Sequence, residues 1–211
     1  MRLILSLLLF GAVQCAADPF INLTFDQPDL SGPLIPLQPG GPYEGNTDQL
    51  LRGWTVTIDG LSRSRVVFSP PQTGIGGPVN LMNRRPLDTT SPLGPYSLEL
   101  FSQFPAQPDI RLSQTATMPD DATFLWIASI GYIQAYADGA KIGEVNPVFG
   151  TWAFLSVAPY AGKEVTLEFA LPPGGAAEFD IIGFTTIPEP STWALLGFGL
   201  VVVVWQLRRQ L

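Results

Sequence analysis

Glu164-Val165-Thr166-Leu167-Glu168-Phe169 alternates polar and apolar residues at every step. Only an extended strand, whose successive side chains point to opposite faces, turns that spacing into one apolar face and one wet face. Similar short runs recur from Ile21 to Phe184, and proline or glycine, 21 of each in 211 residues, punctuates them. This pattern commits the stretch to antiparallel β structure.

The predicted strands are 21–25, 54–58, 65–68, 96–101, 109–115, 123–129, 132–137, 140–145, 151–157, 164–169 and 178–184. Asp59-Gly60 closes the second, with Arg65–Phe68 as its expected partner. Asp138-Gly139 marks the clearest hairpin, because Asp-Gly accepts the positive φ values of a tight turn. Thr123–Ser129 is almost continuously apolar and reads as a central strand. Gln27–Gly45 is too broken by proline and glycine for a regular element. Pro70–Pro95, which includes Arg84-Arg85, is a long connection and the first place to seek a ligand site. About ten strands and no amphipathic helix define an all-β fold, a jelly-roll β-sandwich.

The two ends follow different physics. Arg2, the apolar core Leu3–Val13 and the small residues Cys15-Ala16-Ala17 make residues 1–17 a secretory signal peptide for the Sec route, cut after Ala17. The bulky Gln14 before Cys15 does not suit lipoprotein processing. Residues 193–207, 15 in all, carry no charge. They read as a C-terminal transmembrane helix, about 22 Å long at roughly 1.5 Å per residue and short against the roughly 20 residues of a comfortable span. Trp193 and Trp205 suit the membrane interfaces, and Arg208-Arg209 suits the cytoplasmic side. Residues 18–187 lie between as one domain, and 188–211 form the C-terminal signal.

Without Arg2, Glu189, Arg208 and Arg209, the 18 acidic and 11 basic residues fall to 17 and 8, a net charge near −9. So acidic a domain repels phosphate backbones, which argues against nucleic acid as a partner. The single cysteine, Cys15, leaves with the signal peptide, so the domain must stand on its hydrophobic core without disulfides.

Pro188-Glu189-Pro190, the apolar run and Arg208-Arg209, in that order, resemble the PEP-CTERM sorting signal of exopolysaccharide-producing Gram-negative bacteria. The resemblance implies recognition and cleavage near the tripeptide by a membrane-embedded exosortase. It also implies an anchored inner-membrane precursor, then an envelope or extracellular-matrix location. The domain is similar to the galactose-binding-like, or carbohydrate-binding-module-like, jelly rolls. Asn22-Leu23-Thr24-Phe25-Asp26, Gly53-Trp54, Leu112-Ser113-Gln114, Tyr160-Ala161-Gly162-Lys163 and Phe179-Asp180-Ile181-Ile182 carry that likeness. It implies polysaccharide as a partner and a structural calcium near the first and last strands, with Asp26 and Asp180 as contributors.

With no histidine, and no cysteine once the signal peptide is removed, the domain lacks the usual Ser–His–Asp and Cys–His triads and ordinary zinc sites. Glu99, Glu178 and Asp180 are the carboxylates for glycosidase chemistry if two of them face across a cleft, and solvent-facing strand residues otherwise. Trp54, Trp126 and Trp152 sit in predicted strands, where core packing is expected. Tyr43 and Tyr96 border the loops as candidate sugar platforms, and Asp120-Asp121 reads as a turn. The expected protein is therefore non-enzymatic, exported and associated with exopolysaccharide. A carbohydrate-binding or carbohydrate-active module on the same fold is the alternative. If the tripeptide is read by a protease, Glu189→Ala leaves unprocessed, membrane-held protein on an immunoblot of cell fractions; normal release would reduce the tail to a plain anchor.

Overall fold

Two stacked β-sheets hold the apolar half of each alternating run between them. The computed structural model describes residues 19–71, 73–83, 95–103, 105–146 and 152–185. The predicted signal peptide, Arg84-Arg85, Pro188-Glu189-Pro190, the apolar run and Arg208-Arg209 lie outside the described residues. In chain order the strands are β1 (Ile35–Pro36), β2 (Tyr43–Asn46), β3 (Thr55–Ile58), β4 (Leu61–Arg63), β5 (Arg65–Ser69), β6 (Val79–Asn83) and β7 (Tyr96–Phe101). Then come β8 (Ile110–Thr117), β9 (Phe124–Gly131), β10 (Ile133–Ala137), β11 (Ala140–Val145), β12 (Trp152–Ser156), β13 (Glu164–Leu171) and β14 (Ala176–Thr185). One sheet has the order β1-β2-β5-β6-β7-β14-β9-β12, the other β11-β10-β13-β8-β3-β4. The fold is the all-β sandwich that the alternation predicts.

Alternation fills the core. Along β13, Val165, Leu167 and Phe169 are buried while Glu164 is exposed. Leu81, Leu98 and Leu100 meet them from the other sheet in one apolar cluster. Each such side chain contributes about 1.5–3 kcal/mol when fully buried. Trp54 lies at the centre, its ring centroid 5.8 Å from that of Phe25 and 6.0 Å from that of Phe169. Its expected core role holds. The Asp138-Gly139 hairpin also forms as expected, with φ of 49° and 75°.

Several expectations change. Ile21–Phe25 is not a strand, because Asn22 and Phe25 take φ of 51° and 53° and the chain turns there. Its pairing is supplied by a side chain instead. The Ile21 N–H donates to Gln114 Oε1 at 2.7 Å, and Gln114 Nε2 donates to the Ile21 carbonyl at 3.1 Å. Trp54 Nε1 then donates to the Asn22 carbonyl at 3.2 Å. Gly53 precedes Trp54 because this crossing is tight: its φ is +84°, and a Cβ there would lie 2.5 Å from the Ile21 side chain.

Arg65–Phe68 does not partner Trp54–Ile58. β4 fills that place across the Asp59-Gly60 turn, and β5 passes to the other sheet between β2 and β6. The Gln27–Gly45 connection, expected to hold no regular element, contains the short strand β1 and runs into β2, its antiparallel partner, and the long stretch after Pro70 contains β6, parallel to β5. A helical turn, α1 (Thr47–Leu50), also forms, its first turn capped by Asn46 Oδ1 accepting from the Asp48 N–H at 2.9 Å. β9, expected as central, lies one strand in from the edge strand β12. Gln114→Ala leaves both Ile21 backbone groups without their partner and is expected to cost about 1–3 kcal/mol. A lowered urea midpoint with unchanged m-value checks this.

Candidate functional site

Strand β14 breaks the period of two once, and that break builds the site. Glu178 and Asp180 point away from the core, so strict alternation would turn residue 182 outward as well. A bulge between Asp180 and Ile182 inserts one extra residue, and Ile182 is 3% exposed, packed in the core. Gly183 consequently faces outward, paired with Trp126 of β9, which is paired with Phe154 of β12. A Cβ on Gly183 would lie 2.4 Å from Trp126 Cε2 and Cζ2, so the indole occupies the space left by the missing side chain.

Trp126 packs edge-on against Trp152, centroids 5.1 Å apart and planes at 74°, a favoured aromatic geometry. Trp152 is 43% exposed and Phe154 59%, on the outer side of the edge strand. With Thr185 these rings line an open, shallow depression, and none of these described lining residues carries a charge. Core packing, expected of Trp126 and Trp152, is therefore corrected. The outer positions of an edge strand have no second layer to bury them. The signal was present in the alternation Trp152-x-Phe154-x-Ser156, whose other face is Ala153 and the buried Leu155.

The same outer face carries acidic and polar groups toward the sheet's middle. Registers place Glu44, Val67, Asn80, Glu99, Glu178 and Ile130 on successive strands in one rung. Glu99 and Glu178 are thus cross-strand neighbours, where Cβ atoms stand about 4.5–5.5 Å apart. Ser97 Oγ donates to Glu178 Oε1 at 2.5 Å. Asp180 is fully buried, its Oδ1 accepting from the Ile181 N–H at 2.7 Å in the bulge. It pairs with Ala128, which pairs with Trp152, so one small residue separates the buried carboxylate from the aromatic edge. The solvent-facing reading of Asp180 is corrected, and Glu99 and Glu178 are half-buried.

The other candidates disperse. Tyr43 and Tyr96 pack against the core, because their registers turn them inward opposite Phe68 and Asn83. Asp26 is exposed while Asp180 is buried, and Asp120-Asp121 forms an exposed turn. Among the described residues no group of three or more carboxylates is gathered for a metal. The outer face of the second sheet carries a polar chain: Tyr136 donates to Gln134 Oε1 at 2.7 Å, and Gln134 Nε2 donates to the Tyr132 hydroxyl at 2.8 Å. Beside it the Lys141 ammonium, bound to Glu144, lowers that carboxyl below its ordinary range, and Tyr132 adds to the effect.

Fold and site describe a β-sandwich with an aromatic outer patch beside the point where its last strand ends. Residues 186–209 match the PEP-CTERM protein-sorting motif, which indicates an exported protein sorted by an exosortase and anchored transiently in the membrane beforehand. Comparison with curated proteins gave no match. Among solved structures, the chain is similar to TmCBM61 in complex with β-1,4-galactotriose, at 12% identity and TM-score 0.44, over 81% of this chain and 99% of that one. It is also similar to the enzymatically active domain of bacteriophage CBA120 tailspike protein 4, at 16% identity and TM-score 0.37, over 64% of this chain and 19% of that one. A third is the GH31 α-xylosidase from Xanthomonas citri, at 10% identity and TM-score 0.25, over 74% of this chain and 18% of that one.

Gly183→Ala is expected to displace the Trp126 indole at a cost of roughly 1–3 kcal/mol, as overpacking does. The near-ultraviolet circular dichroism of the tryptophans should change while the far-ultraviolet β spectrum persists.

Proposed function

We propose that this is a non-enzymatic exported protein whose sandwich attaches to exopolysaccharide through the Trp126–Trp152–Phe154 face. The observation that carries this reading is three aromatic rings grouped and open on one sheet face, with no charge among them. The C–H faces of pyranose rings pack on such surfaces, and nearby polar groups fix the orientation of the bound chain. The surrounding acidity selects the class of ligand. A domain with net charge near −9 repels uronate- or phosphate-rich polymers, so the polysaccharide is neutral or weakly charged. An extended polymer suits an open depression, where a small ligand would find too little enclosure.

The carboxylates serve the architecture in this reading. Glu178 is engaged by Ser97, and Asp180 holds the bulge that turns Gly183 outward. Incubation with a bound polysaccharide is therefore expected to release no reducing ends. Release that disappears in Glu178→Gln would overturn the non-enzymatic assignment. Binding is tested by screening the mature protein on a glycan array. Phe154→Ala, at the more exposed position, is expected to weaken binding about tenfold or more, the scale of an interface hot spot, while the melting temperature stays close to the parent value. Trp152→Ala should weaken binding as much and, because it also loses the ring contact with Trp126, lower the melting temperature by a few degrees. Silence across neutral polysaccharides would leave the face without its proposed ligand.

A further inference from the structure

Thr185 ends β14 and also lines the aromatic depression. It pairs with Phe124, on the same side as the Gly183–Trp126–Phe154 rung. The chain therefore leaves the sandwich at the rim of the patch. Pro188 follows three residues later, and Trp193, which opens the apolar run, follows eight residues later. Eight peptide steps span at most roughly 28 Å fully extended. A domain of this length has a radius of gyration of about 15 Å and is roughly 40 Å across. A tether shorter than the domain's own diameter keeps the exit end toward the bilayer whenever the apolar run is anchored.

What stands at that end suits a membrane interface. Tryptophan and phenylalanine favour the headgroup boundary, and the described residues lining the depression are uncharged. That neutrality matters because the acidic body of the domain is repelled by anionic headgroups. The first described residues reach the same end, where the Phe20 ring lies 5.4 Å from that of Phe184.

We propose that the bilayer interface covers the Trp126–Trp152–Phe154 patch while the sorting segment is anchored, and that release from the anchor uncovers the patch for polysaccharide. The second half rests on the polysaccharide reading above; the first does not. Covering the patch keeps the precursor from binding polymer before release, and it orients the short segment that bears Pro188-Glu189-Pro190 at the membrane surface. The bilayer and the polymer are then alternative occupants of one face, selected by whether the chain is tethered.

The test uses the full chain with Trp193→Phe and Trp205→Phe, which leaves Trp54, Trp126 and Trp152 as its tryptophans. It is reconstituted in phosphatidylethanolamine–phosphatidylglycerol vesicles with or without acyl-brominated phosphatidylcholine. Bromine is expected to reduce the tryptophan emission. Adding Trp126→Phe and Trp152→Phe should abolish that loss, because Trp54 is buried. Inserting a flexible Gly/Ser linker of about 30 residues after Thr185, with a root-mean-square reach of roughly 30 Å, should also diminish it. Emission indifferent to bromine in the short-tethered chain would overturn the membrane cover. Bromine quenching together with failure of the released protein to bind any polysaccharide would keep the cover and remove the proposed ligand. Polysaccharide binding without quenching would do the reverse.

Discussion

Burial of two sheet faces against each other holds this protein together, because nothing covalent assists it. A chain with one cysteine forms no internal disulfide, so the sandwich depends on the apolar rungs that meet between its sheets. Leu81, Leu98 and Leu100 on one side and Leu112, Leu167 and Phe169 on the other are all sealed from water. Trp54 joins the layers at the end where the N-terminal segment crosses, and Gln114 holds that segment by standing in for the edge of a strand. Side-chain hydrogen bonding thus finishes a layer that backbone pairing leaves open.

That demand on the inner face explains the outer one. β14 must supply Ala177 and Ile182 to the core, yet an unbroken alternation cannot place both inward. The bulge at Asp180 resolves the conflict, and its by-product is an outward Gly183 with room for an indole. A packing requirement and a binding surface therefore share one local distortion. The buried Asp180 carboxylate belongs to the distortion, since its oxygen accepts the N–H of the inserted residue.

Most strands were legible because period two survives in them. Glu164–Phe169, Tyr96–Phe101 and the Asp138-Gly139 hairpin need only local information, and the structure reproduces them with small changes at their ends. Ile21–Phe25 alternates like a strand, yet Asn22 and Phe25 adopt left-handed backbone and the Ile21 backbone is paired by the side chain of Gln114, 93 residues away along the chain. Arg65–Phe68 forms a strand as its composition predicts, but its neighbours are β2 and β6 and not Trp54–Ile58. Nothing local distinguishes a hairpin partner from a strand that crosses to the other sheet. The aromatic face is not legible in the sequence for a related reason. Trp126 and Trp152 sit in apolar strands, and only sheet order shows that β12 is an edge whose outer side is covered by no second layer among the described residues.

The sequence by itself determined two things. The all-β class follows from the alternation of side chains, a property of the extended backbone. The sorting segment at residues 186–209 follows from the order of its motif, which needs no folded partner to be read. The tertiary structure alone decided which apolar residues were core and which were surface, and which carboxylates became neighbours. Those outcomes depend on strand order and on one bulged residue, both set by contacts between segments far apart in the chain. An alternating run names its two faces, but the sheet that forms around it settles which of them meets water.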